Sequence, residues 1–209
     1  MTQRTVYIAT SNAGKLRDFA AAARLSAIEV LPLPGFADLP EVVEDGDTFE
    51  ANARKKAEHY SRRSPGRLVL ADDSGLEVHT LGGAPGVHSA RFASEEAAGN
   101  ASDEANNQKL LSLLKDPTAD RNARFVAVIA VASEGKTLMA FTGEVEGSIT
   151  HSPRGSNGFG YDPLFEVAGT ARTMAEFSPE EKAAISHRGR AFRRFLEWYR
   201  VRAADFAKL

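Results

Sequence analysis

Cysteine is absent from the chain, and with it go disulfide scaffolds, thiol nucleophiles, Cys-bound zinc and iron–sulfur clusters. The absence fits a reducing compartment. Basic excess is missing as well: 26 lysines and arginines stand against 28 aspartates and glutamates, for a formal net charge of −2. A general nucleic-acid surface carries a basic excess or a clustered basic run, so no nucleic-acid partner is expected, while local anion sites stay open. Long apolar runs are lacking too. The most apolar stretch, residues 125–132, is far shorter than the roughly 20 residues that cross a bilayer as a helix, so no membrane partner is expected. Residues 1–10 lack the apolar core of a secretory signal, and the expectation is a soluble, cytoplasmic protein. The histidines, His59, His79, His88, His151 and His187, show no His-x-His or His-Glu-x-x-His spacing, which leaves no transition-metal motif.

What is present alternates strands with helices. At roughly 100–200 residues per domain, residues 1–209 are read as one domain. Residues 6–9 form a short apolar run that ends in Thr10-Ser11-Asn12-Ala13-Gly14-Lys15, after which Leu16, Phe19, Ala20 and Ala23 recur at helical spacing: strand, polar turn, helix. Residues 28–31 predict a second strand, and an acidic loop follows over residues 41–47. Asp47 with Glu50 three residues on predicts a capping box and a helix to about Ser64. Lys56 falls on its apolar stripe of Phe49, Ala53 and Tyr60. Residues 68–71 predict a buried strand with Asp72-Asp73-Ser74-Gly75 at its C-terminal end. Further expectations are a helix over residues 102–114 with Leu110, Leu111 and Leu114 inward, and a hairpin of residues 125–132 and 137–145. Ser178-Pro179-Glu180-Glu181 opens a helix that breaks at His187, Arg188 and Gly189. Phe192, Phe195, Leu196, Tyr199 and Phe206 give the last helix one apolar face. These elements predict an α/β fold with a mixed sheet.

Four constellations could carry chemistry. In the Thr10–Lys15 turn, free backbone N–H groups at a helix start and the Lys15 charge suit phosphate, although the spacing departs from a Walker A loop; a polar turn with a solvated lysine is the plain alternative. Glu44, Asp45, Asp72, Asp73 and Glu77 form a carboxylate group whose oxygens, beside phosphate, would suit Mg²⁺; a solvated acidic loop is the alternative. Gly158-Phe159-Gly160-Tyr161-Asp162-Pro163 lets backbone and an aromatic face approach a flat ligand, or makes a structural turn. Lys182 with Ser186-His187-Arg188-Gly189 gathers donors for an oxygen-rich ligand edge, or supplies favourable charge at a helix end.

Their order along the chain resembles the inosine triphosphate pyrophosphatase family. The resemblance rests on the Thr10–Lys15 turn, Gly46-Asp47-Thr48-Phe49-Glu50-Ala51-Asn52-Ala53, Ala71-Asp72-Asp73-Ser74-Gly75-Leu76, Gly82-Gly83-Ala84-Pro85-Gly86-Val87-His88-Ser89-Ala90-Arg91, the Gly158–Pro163 segment and Glu181-Lys182-Ala183-Ala184-Ile185-Ser186-His187-Arg188-Gly189. It implies an elongated α/β fold with a central mixed sheet, two lobes around a nucleotide-binding cleft, a homodimer and a Mg²⁺ requirement. It implies hydrolysis of non-standard purine nucleoside triphosphates to monophosphate and pyrophosphate, which would clear deaminated purines from the nucleotide pool. Thr10, Ser11, Asn12, Ala13, Gly14, Lys15 and Lys56 would bind the triphosphate. Asp73 would activate water, and Ser74 would stand beside the substrate. Phe159, Gly160, Tyr161, Asp162, Lys182, His187 and Arg188 would hold base and sugar, and Glu44 with Asp73 the metal. Val43 stands where many relatives carry a second acid, and Ser11 where a Gly is frequent. Rival readings are a hydrolase with Ser74 as nucleophile, which lacks the Gly-x-Ser-x-Gly context, and a nucleotide sensor without turnover.

Overall fold

The computed structural model describes residues 4–24, 26, 28–94 and 99–202. Six strands pair in the order β2-β1-β3-β4-β5-β6. β1 (Arg4–Ile8) runs parallel to both β2 (Ile28–Pro32) and β3 (Val69–Val78). β4 (Asn122–Ser133), β5 (Lys136–Ile149) and β6 (Phe165–Val167) add antiparallel pairs, so the sheet is mixed, as expected. The β4–β5 hairpin turns on Glu134 and Gly135, at φ 49° and 76°; two successive left-handed residues make the turn whose twist matches its strands.

One strand departs from expectation in a way that builds the site. Residues 72–75 lie within β3, which continues to Val78, and do not form a turn after it. Buried on both faces through residue 73, the strand tolerates two aspartates because each is paired with cations. β1 pairs with β3 only at Tyr7↔Val69 and Ile8↔Leu70. Beyond Leu70, one edge of β3 is therefore open, and side chains from both of its faces reach the same space.

The helices pack on both faces. α1 (Ala13–Ala23) is capped by Asn12, whose side chain accepts the Lys15 N–H. α2 (Phe49–Arg62) is capped by Thr48, not by Asp47, and Glu50 bonds forward to Arg54 at 2.7 Å without closing a capping box. The stripe Phe49, Ala53 and Tyr60 is buried as expected, and Lys56 is buried with it. α3 (Asp103–Leu113) buries Leu110 with Leu114 beyond its end, while Leu111 is partly buried. α4 (Pro179–Ile185) has its full capping box from Ser178 and Glu181. The chain then breaks at Ser186, which is extended, and His187, Arg188 and Gly189 open α5 (His187–Arg202) as its first turn. Phe192, Phe195, Leu196 and Tyr199 join β1, β2 and α1 in one core cluster; Phe206 lies outside the described residues. A second cluster joins α3, β5 and β6, and a third lies under α2.

The first turn of α5 is seated on β5 at Gly143, where an added Cβ would stand 2.1 Å from His187 O and 2.4 Å from Ala191 N. Gly143→Ala therefore drives α5 off the sheet. It is expected to cost about 1–3 kcal/mol, seen as a melting temperature lower by roughly 3–10 °C; an unchanged melting temperature contradicts this packing.

Candidate active site

A cavity of about 870 Å³ opens along the free edge of β3, within the range of roughly 300–1,000 Å³ typical of small-molecule sites. Its lining includes Thr10, Ser11, Asn12, Lys15, Glu44, Lys56, Asp72, Asp73, Ser74, Phe159, Gly160, Tyr161, Asp162, His187 and Arg188. The predicted site residues thus come together from the β1–α1 turn, the acidic loop, α2, β3, the 158–162 loop and α5. Ala13 and Gly14 begin α1 outside this lining, and Lys182 stands outside it as well.

The centre is an ion cluster on β3. Asp72 is fully buried, with Lys15 Nζ 2.7 Å from its Oδ2 and Arg188 Nε 3.5 Å from its Oδ1. Burial opposes the charge of Asp72, but Arg188, Lys15 and Lys56 outweigh it and hold the carboxyl far below its ordinary value. Oδ1 of Asp72 and Nε of Arg188 face each other without a hydrogen bond to either. Ser74 Oγ donates to Asp72 Oδ2 at 3.1 Å and accepts from Arg188 Nη2 at 2.7 Å.

The next residue meets different surroundings. Asp73 Oδ1 accepts from Lys56 Nζ at 3.1 Å and Oδ2 from Asn52 Nδ2 at 3.2 Å. Lys56 also reaches Glu44 Oε2 at 2.8 Å. Burial raises the Asp73 pKa; Lys56 and Lys15 pull it down, Glu44 pushes it up, and the net direction is upward. Glu44 goes the other way, because Lys56 and Lys15 overcome its partial burial. Strand alternation explains the split: Asp72 shares a face with α1 and α5, Asp73 with α2. Among the described residues no group of three or more His, Cys, Asp or Glu could hold a metal. Glu44 and Asp73 nevertheless place two carboxylates at one lysine, and Mg²⁺ commonly takes one or two carboxylates from protein when phosphate and water supply the rest.

The Phe159 ring lies on Gly14 in the first turn of α1, where a Cβ would meet Phe159 Cδ1 at 2.4 Å. Lys182 Nζ and Arg188 Cζ sit 5.0 and 5.5 Å from its centroid. Lys182 is buried and bonds Asp162 Oδ2 at 2.6 Å. Asp162 Oδ2 also accepts the Phe159 N–H at 2.9 Å. His187 stacks on Phe125 with centroids 4.7 Å apart. Ser186 Oγ accepts the Gly189 N–H at 3.1 Å, while the N–H groups of His187 and Arg188, in the first turn of a helix, have no partner within it. Cations, two helix starts, paired carboxylates and an aromatic ring gathered on one cavity suit an anion carrying a flat head.

Residue-type reasoning misses Asp18 and Asn52. Asp18 Oδ2 accepts from Arg188 Nη1 at 2.6 Å, and its Oδ1 lies 3.3 Å from Lys182 Nζ. Asn52 accepts the Gly46 N–H at 2.8 Å and holds Asp73. The signal was helical phase: Asp18 is three residues after Lys15, and Asn52 four before Lys56, so each shares its lysine's face.

A mixed α/β sheet with an anion-directed cleft beyond the C-terminal end of β1 and along the free edge of β3 belongs among the nucleotide-handling folds, and comparison narrows it. Residues 6–198 match the model of the Ham1 family, and the chain belongs to that family. The dITP/XTP pyrophosphatase of Acidobacterium capsulatum is 52% identical over 193 residues, 90% of this chain and 95% of its own. A Staphylococcus aureus Ham1 protein superposes with TM-score 0.77 at 40% identity, covering 94% of this chain and 98% of that one. The Mycobacterium abscessus nucleoside-triphosphatase/dITP/XTP pyrophosphatase superposes with TM-score 0.68 at 40% identity, covering 92% and 98%.

Burial, then Arg188 and Lys182, hold the His187 pKa well below its ordinary value. An unfolded chain protonates this ring near pH 6.5, and the folded state does not. The unfolded state therefore binds more protons below that pH, and the stability from the neutral ring is complete above it and lost as pH falls. The melting temperature is expected to drop between pH 7 and 5.5, and less steeply in His187→Phe, which keeps the stack on Phe125. Equal slopes contradict a neutral buried imidazole.

Proposed function

We propose that this chain hydrolyses the non-standard purine nucleoside triphosphates dITP, XTP and ITP to the monophosphate and pyrophosphate, with Asp73 directing water at the α phosphorus. The observation that carries this reading is the Asp73 carboxyl, buried with a raised pKa, in one cavity with an anion-binding helix start and an aromatic–cation wall. The names of the relatives support the substrate class.

Attack on a phosphoanhydride needs charge neutralisation and positioning more than covalent chemistry. In this reading Lys15, Lys56 and the Thr10–Lys15 turn neutralise the phosphates. Glu44 and Asp73 would hold Mg²⁺, which, when bound, withdraws charge from the bridging oxygens. Asp73, fixed by Asn52 and Lys56, orients the attacking water and accepts its proton. Ser74 stands beside the substrate, its hydroxyl held between Asp72 and Arg188. It has no histidine partner there, which disfavours Ser74 as nucleophile.

Base selection follows from donors. Phe159 and Tyr161 line the base end with Gly160 and Asp162. The first-turn N–H groups of α5, with Arg188 and Lys182 beside Phe159, favour a 6-oxo acceptor and leave the 6-amino group of adenine facing donors; polar sites of this kind discriminate by roughly 10⁴–10⁵. A homodimer working on the cytoplasmic nucleotide pool, without nucleic acid, completes the proposal. Among the described residues no helix is long and apolar enough to cross a membrane.

The test is incubation with Mg²⁺ and dITP, XTP, dATP or dGTP, with and without added inorganic pyrophosphatase. Orthophosphate should appear from dITP and XTP only when pyrophosphatase is added; direct orthophosphate release, or equal turnover of all four, overturns the reading. Asp73→Asn should lower kcat by at least about 10²-fold with its fold intact, and full turnover would remove Asp73 from the role.

A further inference from the structure

The first two turns of α3 grip the base-facing loop at one residue, from both sides. Gly160 N–H donates to Asp103 Oδ2 at 2.7 Å, and Asn107 Nδ2 donates to Gly160 O at 3.0 Å. Gly160 is left-handed, at φ 62°, so the orientation of its two flanking peptides is set by these partners and not by a regular element. Those peptides carry the Phe159 ring on one side and Tyr161 on the other.

The same helix face is tied toward β3. Asn106 accepts the Ala93 N–H at 2.8 Å and donates to Ala90 O at 3.2 Å. Tyr161 Oη donates to Ser89 O at 2.9 Å, and Ser89 Oγ accepts the Leu76 N–H of β3 at 2.9 Å. α3 therefore braces the 158–162 loop against the segment that packs on β3.

We propose that Asp103 and Asn107 are positioning residues for the purine: by fixing the Gly160 peptide they keep the Phe159 ring on Gly14 and beside Lys182 and Arg188, where it can take a flat base. The proposal rests on reading the cavity as a purine nucleotide site. Neither residue belongs to the carboxylate pair or the phosphate turn, so their loss weakens nucleotide binding and leaves the chemical step intact. Asp103 also lies in the first turn of a helix, where any acid is favourable. Glu104 shares that turn but bonds Gln108, not the loop, and it separates the two effects.

The test compares Asp103→Ala, Asp103→Asn, Asn107→Ala and Glu104→Ala with the unchanged chain, reading dIMP affinity by calorimetry and the kinetics of dITP turnover. Losing one such hydrogen bond predicts a dIMP affinity about fivefold weaker in Asp103→Ala. KM for dITP should rise by a similar factor with kcat within about twofold. Asp103→Asn, which keeps an acceptor oxygen, should recover most of the affinity. Asn107→Ala reads the carbonyl side independently, should Asp103→Ala not fold. Unchanged dIMP affinity in both alanine variants, a fall in kcat at constant KM, or an equal effect of Glu104→Ala overturns the proposal. A chain that binds dIMP but releases no pyrophosphate from dITP would instead refute the proposed activity, with the dIMP series still deciding the role of Asp103.

Discussion

Asp72, fully buried between Lys15 and Arg188, is the interaction on which the arrangement depends. A carboxylate taken from water is costly unless paired, and here each partner arrives on a different helix, Lys15 on α1 and Arg188 on α5. Satisfying one charge thus fixes where two helix starts stand relative to β3. Asp18 extends the same constraint to Lys182 on α4. The Thr10–Lys15 turn and the donors Lys182 and Arg188 are consequently parts of one charged cluster.

Adjacent aspartates on one strand then acquire opposite characters. Asp72 is locked as an anion by its cations, while burial and Glu44 push Asp73 upward. Titratable neighbours driven apart by their environments commonly mark a division of labour. Asp72 is held as a structural counter-ion, and in the proposed reading Asp73 is left as the group that exchanges protons and ligands. The division requires both faces of β3 to reach one cavity, and β1 permits this by ending its pairing at Leu70.

Much of this was legible in the sequence. Lys56 stood out on an apolar helical stripe, and the two aspartates after an apolar run stood out as a carboxylate group. The Ser178 box placed the start of α4 to the residue, while the break falls at Ser186, ahead of the expected His187-Arg188-Gly189. Other features were hidden for physical reasons. β3 continues through Asp72-Asp73-Ser74-Gly75 because cations supplied by α1, α2 and α5 compensate its charges, and strand propensity cannot register such long-range pairing. Thr48 displaced Asp47 as the cap because both are competent N-cap residues and only the geometry of the preceding loop selects between them. Asp18, Asn52, Asp103 and Asn107 look like ordinary helical polar residues until the tertiary fold shows what each one holds.

The proposed function of this Ham1-family chain reduces to one chemical statement: water directed by Asp73 meets the phosphorus nearest the nucleoside. Turnover of dITP in heavy-oxygen water, followed by mass spectrometry of both products, examines that statement directly. The label is expected in the monophosphate alone. Label in the pyrophosphate would place the attack on the β phosphorus and contradict the position assigned to Asp73.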